Sequence, residues 1–138
     1  MRSSVALLDT GFVIALVSAR DADHDHCVEA WRGFRGQLYS VDGVLVEAAH
    51  LLRKARGGPA AAVGFVYAAR TELVPCTEAR ASRALGLMKK YENVPMDFVD
   101  ALLVTAAEEF GIRDVLTLDR RGFETYRLNG RERFRIVP

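Results

Sequence analysis

Cysteine is scarce in this sequence, and no apolar run is long enough to suggest a membrane segment. The two cysteines among 138 residues, Cys27 and Cys76, form no close pairing motif. We therefore expect an intracellular, reduced compartment, the cytoplasm. The apolar stretch at residues 5–19 carries Asp9 in its middle, where a carboxylate would spoil a signal peptide or a transmembrane helix. We expect neither feature.

An excess of charge of one sign is also absent. The net charge is +1 at pH 7, which argues against a globally basic nucleic-acid-binding protein. The charges are nevertheless uneven, because residues 1–50 hold four arginines against seven acidic residues, whereas residues 113–138 hold seven arginines against four. An acidic patch and a basic patch can therefore coexist on one surface.

Several common catalytic patterns are missing from the chain. It has no glycine-rich phosphate loop, no Ser-His-Asp order and no nucleophilic cysteine context. The segment at residues 21–27 resembles a metal site only superficially, since adjacent helical positions point in different directions and no zinc-like spacing recurs later. We expect that segment to be a capped, solvated helix start, and His50 to be a surface residue rather than a general base.

The composition is that of a globular protein, with half of the residues hydrophobic and 27% charged. The length fits one domain at residues 1–138, and no repeat or linker divides it. Short apolar runs alternate with helical periodicity, which is typical of an α/β protein with a parallel sheet covered on both faces. The predicted strands are 5–8, 38–41, 72–76, 115–118 and 134–137. The predicted helices are 12–17, 24–35, 42–56, 59–70, 77–91 and 98–110.

Four acidic residues lie where the functional groups of such a sheet gather. Asp9 and Asp119 follow predicted strands, and the carboxyl ends of neighbouring parallel strands share one crevice. Glu47 and Asp100 lie on the apolar faces of predicted helices, where a carboxylate is costly unless it is paired or bound to a cation. Asp97 is suited to the N-cap of the helix that contains Asp100. We therefore expect an acidic crevice at the carboxyl edge of the sheet.

Taken singly, each of these acids has an ordinary structural interpretation as a turn residue, a helix cap, a solvent-facing helix acid or a first-turn charge. Together they would repel one another and raise their own pKa values unless cations neutralise them. Hard divalent cations with oxygen ligands fit such a site, and Mg²⁺ or Mn²⁺ suits phosphodiester chemistry.

Four segments carry a family resemblance. They are LLDTGFVIAL at residues 7–16, the helix with Glu47, MDFVDALL at residues 96–103 and LTLDRRGF at residues 116–123. In their order and spacing these segments resemble the PIN-domain family, specifically the VapC-type ribonuclease toxins of type II toxin–antitoxin pairs. The resemblance implies a Rossmann-like, three-layer α/β/α domain with a mainly parallel sheet in the order 3-2-1-4-5.

The resemblance also implies metal-dependent cleavage of RNA, with Mg²⁺ or Mn²⁺ as the cofactor. The family's acidic quartet is matched by Asp9, Glu47, Asp100 and Asp119. Asp9 and Asp100 are expected to bind the primary metal ion, and Asp119 a second ion or the water. Glu47 is expected to complete the ligand shell or to orient a water. The positions of secondary importance are Asp97, Thr10 and Thr117. The two threonines match hydroxyls that could position a water or a carboxylate, and they are equally well interpreted as a turn hydroxyl and a strand-end residue.

The leading hypothesis is hydrolysis of an RNA phosphodiester by a metal-activated water. Phosphates need nearby cations, although the ordinary interpretation of a surface arginine is a solvated side chain. The candidate RNA-binding residues are Arg53, Lys54, Arg56, Arg120 and Arg121. Alternatives are a catalytically silent RNA-binding or partner-docking domain, and a small-molecule phosphatase. Cleavage that is lost with chelator and restored by Mn²⁺ excludes the first, and turnover of a generic phosphomonoester would favour the second.

One predicted helix is unusually apolar. Residues 60–69 include Val63, Phe65, Val66 and Tyr67 and are apolar around most of the helix circumference, which a surface helix cannot bury alone. The resemblance implies two partners for this face, another copy of the chain in a homodimer and an antitoxin protein. A buried core helix is the alternative. We also expect the antitoxin to insert an Arg or Lys side chain into the acidic crevice.

Overall fold

Five parallel strands form the central sheet of the protein, for which the computed structural model describes residues 4–138. In this range the strands are β1 (Ser4–Leu8), β2 (Gly36–Val41), β3 (Glu72–Val74), β4 (Asp114–Leu116), β5 (Arg127–Leu128), β6 (Glu132–Arg133) and β7 (Arg135–Val137). The central sheet has the order β3-β2-β1-β4-β7, and all of its neighbouring strands are parallel. The predicted order 3-2-1-4-5 is confirmed, with β7 as the fifth strand of this sheet. The hairpin of β5 and β6 is antiparallel and separate.

Helices cover both faces of the sheet and complete the three-layer α/β/α arrangement. They are α1 (Thr10–Val17), α2 (His24–Gly33), α3 (Asp42–Leu51), α4 (Gly58–Ala68), α5 (Glu78–Lys90), α6 (Phe98–Phe110) and α7 (Arg120–Thr125). Helix α1 contacts α2, α3 and α4, whereas α5 packs against α6. Among the described residues, no helix is long and apolar enough to cross a membrane.

The centre of the core is built from β1 and α6. Ala6, Leu7 and Leu8 are fully buried, as expected for a strand covered on both faces. All residues of α6 from Ala101 to Ala107 are buried, because this helix contacts both β2 and α5. Each fully buried leucine contributes about 1.5–3 kcal/mol to stability. Asp9 follows β1 directly and Asp100 lies in the first turn of α6, so the core fixes the backbone positions of both acids.

Two parts of the secondary-structure prediction were wrong. The predicted helix at residues 42–56 is too long, because α3 ends at Leu51 and is followed by turns in which Gly57 has a φ of 68°. This left-handed conformation, which glycine adopts without strain, redirects the chain into α4. The prediction also omitted α7 and the β5–β6 hairpin, whose elements are too short to show a hydrophobic period.

Candidate active site

The carboxyl ends of β1 and β4 bring together two acids that are far apart in sequence. The two strands are neighbours in which Leu8 pairs with Leu116, and the backbone N–H of Asp9 donates to the Leu116 carbonyl at 3.0 Å. Asp119 follows β4 and caps α7 by accepting a hydrogen bond from the Gly122 N–H at 3.0 Å. Both acids therefore lie at the edge of the sheet where functional groups of parallel sheets gather.

One buried hydroxyl connects these two acids. Thr117 Oγ1 donates to Asp9 Oδ2 at 2.7 Å and accepts from the backbone N–H of Asp119 at 2.9 Å. The other carboxylate oxygen of Asp9, Oδ1, accepts from the Thr10 N–H at 2.8 Å. Because both oxygens of Asp9 have fixed donors, this carboxylate is held in one orientation.

The first turn of α6 supplies two more carboxylates. Asp97 is the N-cap of the helix and accepts a hydrogen bond from the Asp100 N–H at 2.8 Å, which confirms the predicted cap. The Asp100 carboxylate is directed towards the core side of the site, where the hydroxyl of Tyr126 donates to its Oδ2 at 3.3 Å. The cap therefore orients the helix that presents Asp100.

A cleft of about 350 Å³ collects these groups. It is called the acidic cleft below, and it is lined by Asp9, Thr10, Gly11, Ile14, Glu47, Leu51, Pro95, Asp97, Asp100 and Asp119. Glu47 reaches it from α3. The structure thus brings all five predicted acids and Thr10 to one surface, whereas Thr117 lies beneath it as the buried connection.

The carboxyl groups in the acidic cleft perturb one another. The pKa of Asp9 is raised to about 6, mainly by burial and also by the charges of Asp119 and Glu47, against the hydrogen bonds from Thr117 and Thr10, which lower it. Burial and the charges of Asp9, Asp97 and Asp119 raise the pKa of Asp100 to about 7. Burial is the largest cause of both shifts and the neighbouring carboxylate charges add to it, so a cation in the cleft would favour the ionised forms.

Tyr126 is the functional neighbour that the sequence analysis missed. Its ring is buried and stacks edge-on against Tyr91 and Phe123, at centroid distances of 5.2 Å in each case. Burial and the charge of Asp100 raise the pKa of the Tyr126 hydroxyl, so the hydroxyl stays protonated and donates. No local sequence signal identifies this contact, because Tyr126 follows Asp100 by 26 residues.

The acidic cleft fits a hard divalent cation. Its donors are carboxylate and hydroxyl oxygens, and the buried Thr10 Oγ1 has no hydrogen-bond partner among residues 4–138. Over the same residues, no three acidic, histidine or cysteine side chains converge into a complete ligand set. That arrangement suits Mg²⁺, which keeps several waters and takes only one or two protein carboxylates together with substrate phosphate.

None of the five predicted RNA-binding cations lines the acidic cleft. Arg53 donates to the carbonyl of the exposed His50 at 2.8 Å, and Lys54 and Arg56 line a separate cavity. Arg120 donates to the Pro138 carbonyl at 2.7 Å and faces Glu124 at 3.5 Å. Arg121 is exposed in the first turn of α7. RNA contacts by these side chains would therefore lie around the acidic cleft rather than in it.

Comparison with known proteins identifies the fold and its family. The PIN domain family model matches residues 6–128, a range that contains the acidic cleft. The chain belongs to the PIN domain family. Ribonuclease VapC26 of Mycobacterium tuberculosis (strain ATCC 25618 / H37Rv) is 28% identical to it over 134 residues, which cover 96% of this chain and 99% of the relative.

Two solved structures share this fold. VapC20 of Mycobacterium tuberculosis, a Sarcin-Ricin loop cleaving toxin, superposes with a TM-score of 0.74 at 24% identity, covering 85% of this chain and 91% of that one. A toxin–antitoxin complex from Klebsiella pneumoniae gives a TM-score of 0.66 at 16% identity, covering 96% of both chains. These likenesses extend the PIN assignment to the three-layer architecture and its parallel sheet.

Proposed function

We propose that this PIN-domain protein is a metal-dependent endoribonuclease and the toxin of a toxin–antitoxin pair. The observation that carries the proposal is that Asp9, Asp100, Asp119 and Glu47 all line one cleft. The similarity to ribonuclease VapC26 over almost the whole chain supports RNA as the substrate. A divalent cation bound in the cleft would neutralise the carboxylates and activate a water for attack on the phosphodiester.

The position of each residue in the acidic cleft indicates its role. Asp9 and Asp100, which have the raised pKa values, bind the primary Mg²⁺ or Mn²⁺ ion. Asp119 would hold a second ion or the attacking water, and Glu47 would complete the ligand shell from α3 or orient a water. Thr117 orients Asp9, and the hydroxyl of Thr10, which has no hydrogen-bond partner among residues 4–138, would hold a water beside the ion. Asp97 caps α6 and supports Asp100.

A protein partner is part of the proposal. Several structural neighbours are toxin–antitoxin complexes, and this chain has an exposed apolar face on α4, where 59% of the Tyr67 surface is accessible. Phe65 packs against Trp31 at a centroid distance of 5.1 Å, and Val66 is buried, so only part of the helix is available. An antitoxin or a second copy of the chain covers the available part.

The experiment that tests the function is cleavage of total RNA by the purified protein with Mn²⁺, with chelator, and with Mn²⁺ restored. Asp100→Asn is expected to lower cleavage by about two orders of magnitude or more, because a ligand of the reacting centre is lost. Asp25→Asn, an exposed acid on α2, is the matched control and should cleave normally. RNA binding without cleavage under all metal conditions would favour a catalytically silent domain, and hydrolysis of a generic phosphomonoester would favour a phosphatase.

A further inference from the structure

A second large cavity, of about 470 Å³, opens beside the acidic cleft. It lies between the C-terminal end of α1 and the turns that join α3 to α4. It is called the basic pocket below, and it is lined by Val17, Ser18, Ala19, Arg20, Leu52, Lys54, Ala55, Arg56, Gly57, Gly58 and Ala61. Most of these side chains are small, so a ligand group in the pocket can approach the backbone closely.

The charged residues that line the basic pocket are all cationic. Arg20, Lys54 and Arg56 are exposed, and none of them forms an ion pair within residues 4–138. The nearest acid in sequence, Asp21, accepts a hydrogen bond from the Asp23 N–H at 2.9 Å within its own turn. The N-terminus of α4 borders the same cavity and adds the positive end of a helix dipole.

The basic pocket and the acidic cleft are separate cavities that are both lined by residues of α1 and of the C-terminal end of α3. On α1, Ile14 lines the acidic cleft and Val17, one turn later, lines the basic pocket. On α3, Leu51 borders the acidic cleft and its neighbour Leu52 borders the basic pocket. Ile14 and Val17 are three residues apart, so the nearest lining positions of the two sites on α1 are separated by about 5 Å along the helix axis.

We propose that the basic pocket binds a backbone phosphate of the RNA strand whose scissile phosphate lies in the acidic cleft. The inference rests on the proposed ribonuclease function and adds a subsite to it. The acidic cleft repels a polyanion until a metal ion is bound, so the affinity for RNA must come from cations outside it. Among the residues that line the two cavities, the cations lie only in the basic pocket. Between them, the exposed Leu51 offers an apolar surface to a base or a ribose.

The salt dependence of RNA binding tests this assignment. The parent protein carries Asp100→Asn so that RNA is not cut, and the test variant adds Arg20→Ala, Lys54→Ala and Arg56→Ala. The matched control adds Lys89→Ala, Arg131→Ala and Arg133→Ala, three exposed cations on α5 and the β5–β6 region. Both triple variants change the net charge equally, and neither alters a buried side chain. The probe is a fluorescein-labelled oligouridylate of about 12 nucleotides, followed by anisotropy.

The test and control variants are expected to differ in the slope of log K against log salt as well as in their affinity for RNA. Loss of three phosphate contacts lowers the magnitude of the slope of log K against log salt by about 2, since each contact on a single strand contributes about 0.7. The test variant also binds roughly tenfold or more weakly at low salt, whereas the control keeps the slope of the parent. Equal slopes for the test and control variants overturn the proposal, as does a parent that does not bind the oligonucleotide at low salt.

Two further measurements separate this proposal from its alternatives. A test variant that binds RNA normally but loses affinity for the purified antitoxin shows that the pocket docks a protein, and this result also overturns the proposal. Cleavage by the protein with native Asp100 decides the proposed function independently. If that protein cleaves RNA with Mn²⁺ and the slopes are equal, only the subsite is wrong; if it does not cleave RNA, the ribonuclease function itself fails.

Discussion

Among the carboxyl groups of the acidic cleft, Asp100 opposes folding strongly when it is ionised. Its pKa rises from 3.8 to about 7 because of burial and neighbouring charges. Between these values the folded chain binds more protons than the unfolded chain. The contribution of Asp100 to the stability of the metal-free protein is therefore fully present below about pH 4 and is lost as the pH rises through about 7.

We predict that Asp100→Asn equals the metal-free wild type in stability near pH 4 and exceeds it by about 1–2 kcal/mol near pH 8, which is less than the full pKa shift implies because the half-buried carboxylate is screened by solvent. The asparagine removes the charge and keeps an oxygen that accepts from Tyr126. Urea unfolding with chelator at both pH values measures the difference. The exposed control Asp25→Asn should show no such pH dependence, and an advantage of Asp100→Asn that is equal at both pH values would contradict the prediction.

Tyr126 gives a second prediction about single residues. Tyr126→Phe keeps the ring among Tyr91 and Phe123 but removes the donor to Asp100, so the carboxylate loses one of the groups that fix its orientation. We expect kcat/KM for RNA cleavage to fall by about 5–10-fold, the equivalent of one ordinary hydrogen bond, with the fold unchanged.

The matched control for this prediction is Tyr91→Phe. The Tyr91 hydroxyl accepts from the Arg127 N–H at 2.9 Å and is not directed at an acid of the cleft. This variant should lose about 1 kcal/mol of stability and keep its activity per folded molecule. Equal losses of activity in the two variants would mean that the aromatic cluster, and not the hydroxyl on Asp100, matters for cleavage.

Some residues of the site could be predicted from the sequence and others could not. Asp9 and Asp119 follow strands, and the rule that functional groups gather at strand ends is enough to place them together. The contact between Tyr126 and Asp100 depends on how the segment after α7 packs onto α6, which no short-range pattern encodes. The sequence also could not predict that the buried Thr10 hydroxyl lacks a hydrogen-bond partner among residues 4–138. The partners of a buried polar group depend on the folded environment.

At the scale of secondary-structure elements, α6 depends on its N-cap. Asp97→Ala is expected to lower the free energy of unfolding by about 1 kcal/mol, because the Asp100 N–H loses its acceptor. Asp97→Asn keeps an acceptor oxygen and should be nearly neutral in stability while retaining cleavage. Thermal unfolding and RNA cleavage of both variants measure these effects. A loss of cleavage in Asp97→Asn with unchanged stability would show that the negative charge of Asp97 acts in the reaction.

The elements that were predicted well and poorly differ in length and in packing. The predicted bounds of α6, residues 98–110, agree with the structure because a long buried stripe begins after a capping acid and ends at Gly111, which adopts a φ of 67°. Helix α3 was extended too far because the residues after Leu51 are compatible with a helix, whereas packing of Gly58 against Leu52 requires a turn. After Leu51, packing overrides the helix propensity of the individual residues.

At the scale of the whole molecule, the acidic cleft predicts how an antitoxin inhibits. A group of carboxylates that attracts a divalent cation also attracts a guanidinium or ammonium group, and an arginine can bind two carboxylate oxygens at once. We expect inhibition to weaken as Mg²⁺ or Mn²⁺ is raised, because the two cations compete for the same oxygens. Replacing the inserted basic residue with alanine should restore cleavage while much of the complex survives.

Titration of metal into a preformed complex, with RNA cleavage as the readout, tests this prediction. A complex with an unrelated surface arginine of the antitoxin replaced by alanine serves as the control and should stay inhibited at low metal. Inhibition that is insensitive to metal, together with full inhibition by the alanine variant of the inserted residue, would show that the antitoxin blocks access of RNA elsewhere.

The hydrogen bond from Thr117 to Asp9 also determines at which point of translation the acidic cleft can be complete. Thr117 and Asp9 are separated by 108 positions, and β4, which precedes Thr117, pairs on its other side with β7 at residues 135–137. When Asp9, Glu47 and Asp100 have been translated, the chain still lacks β4 and Thr117. The carboxylate of Asp9 is therefore not yet held in its orientation. We therefore expect RNA cleavage only from chains in which β4 and β7 have been translated and have joined the sheet beside β1.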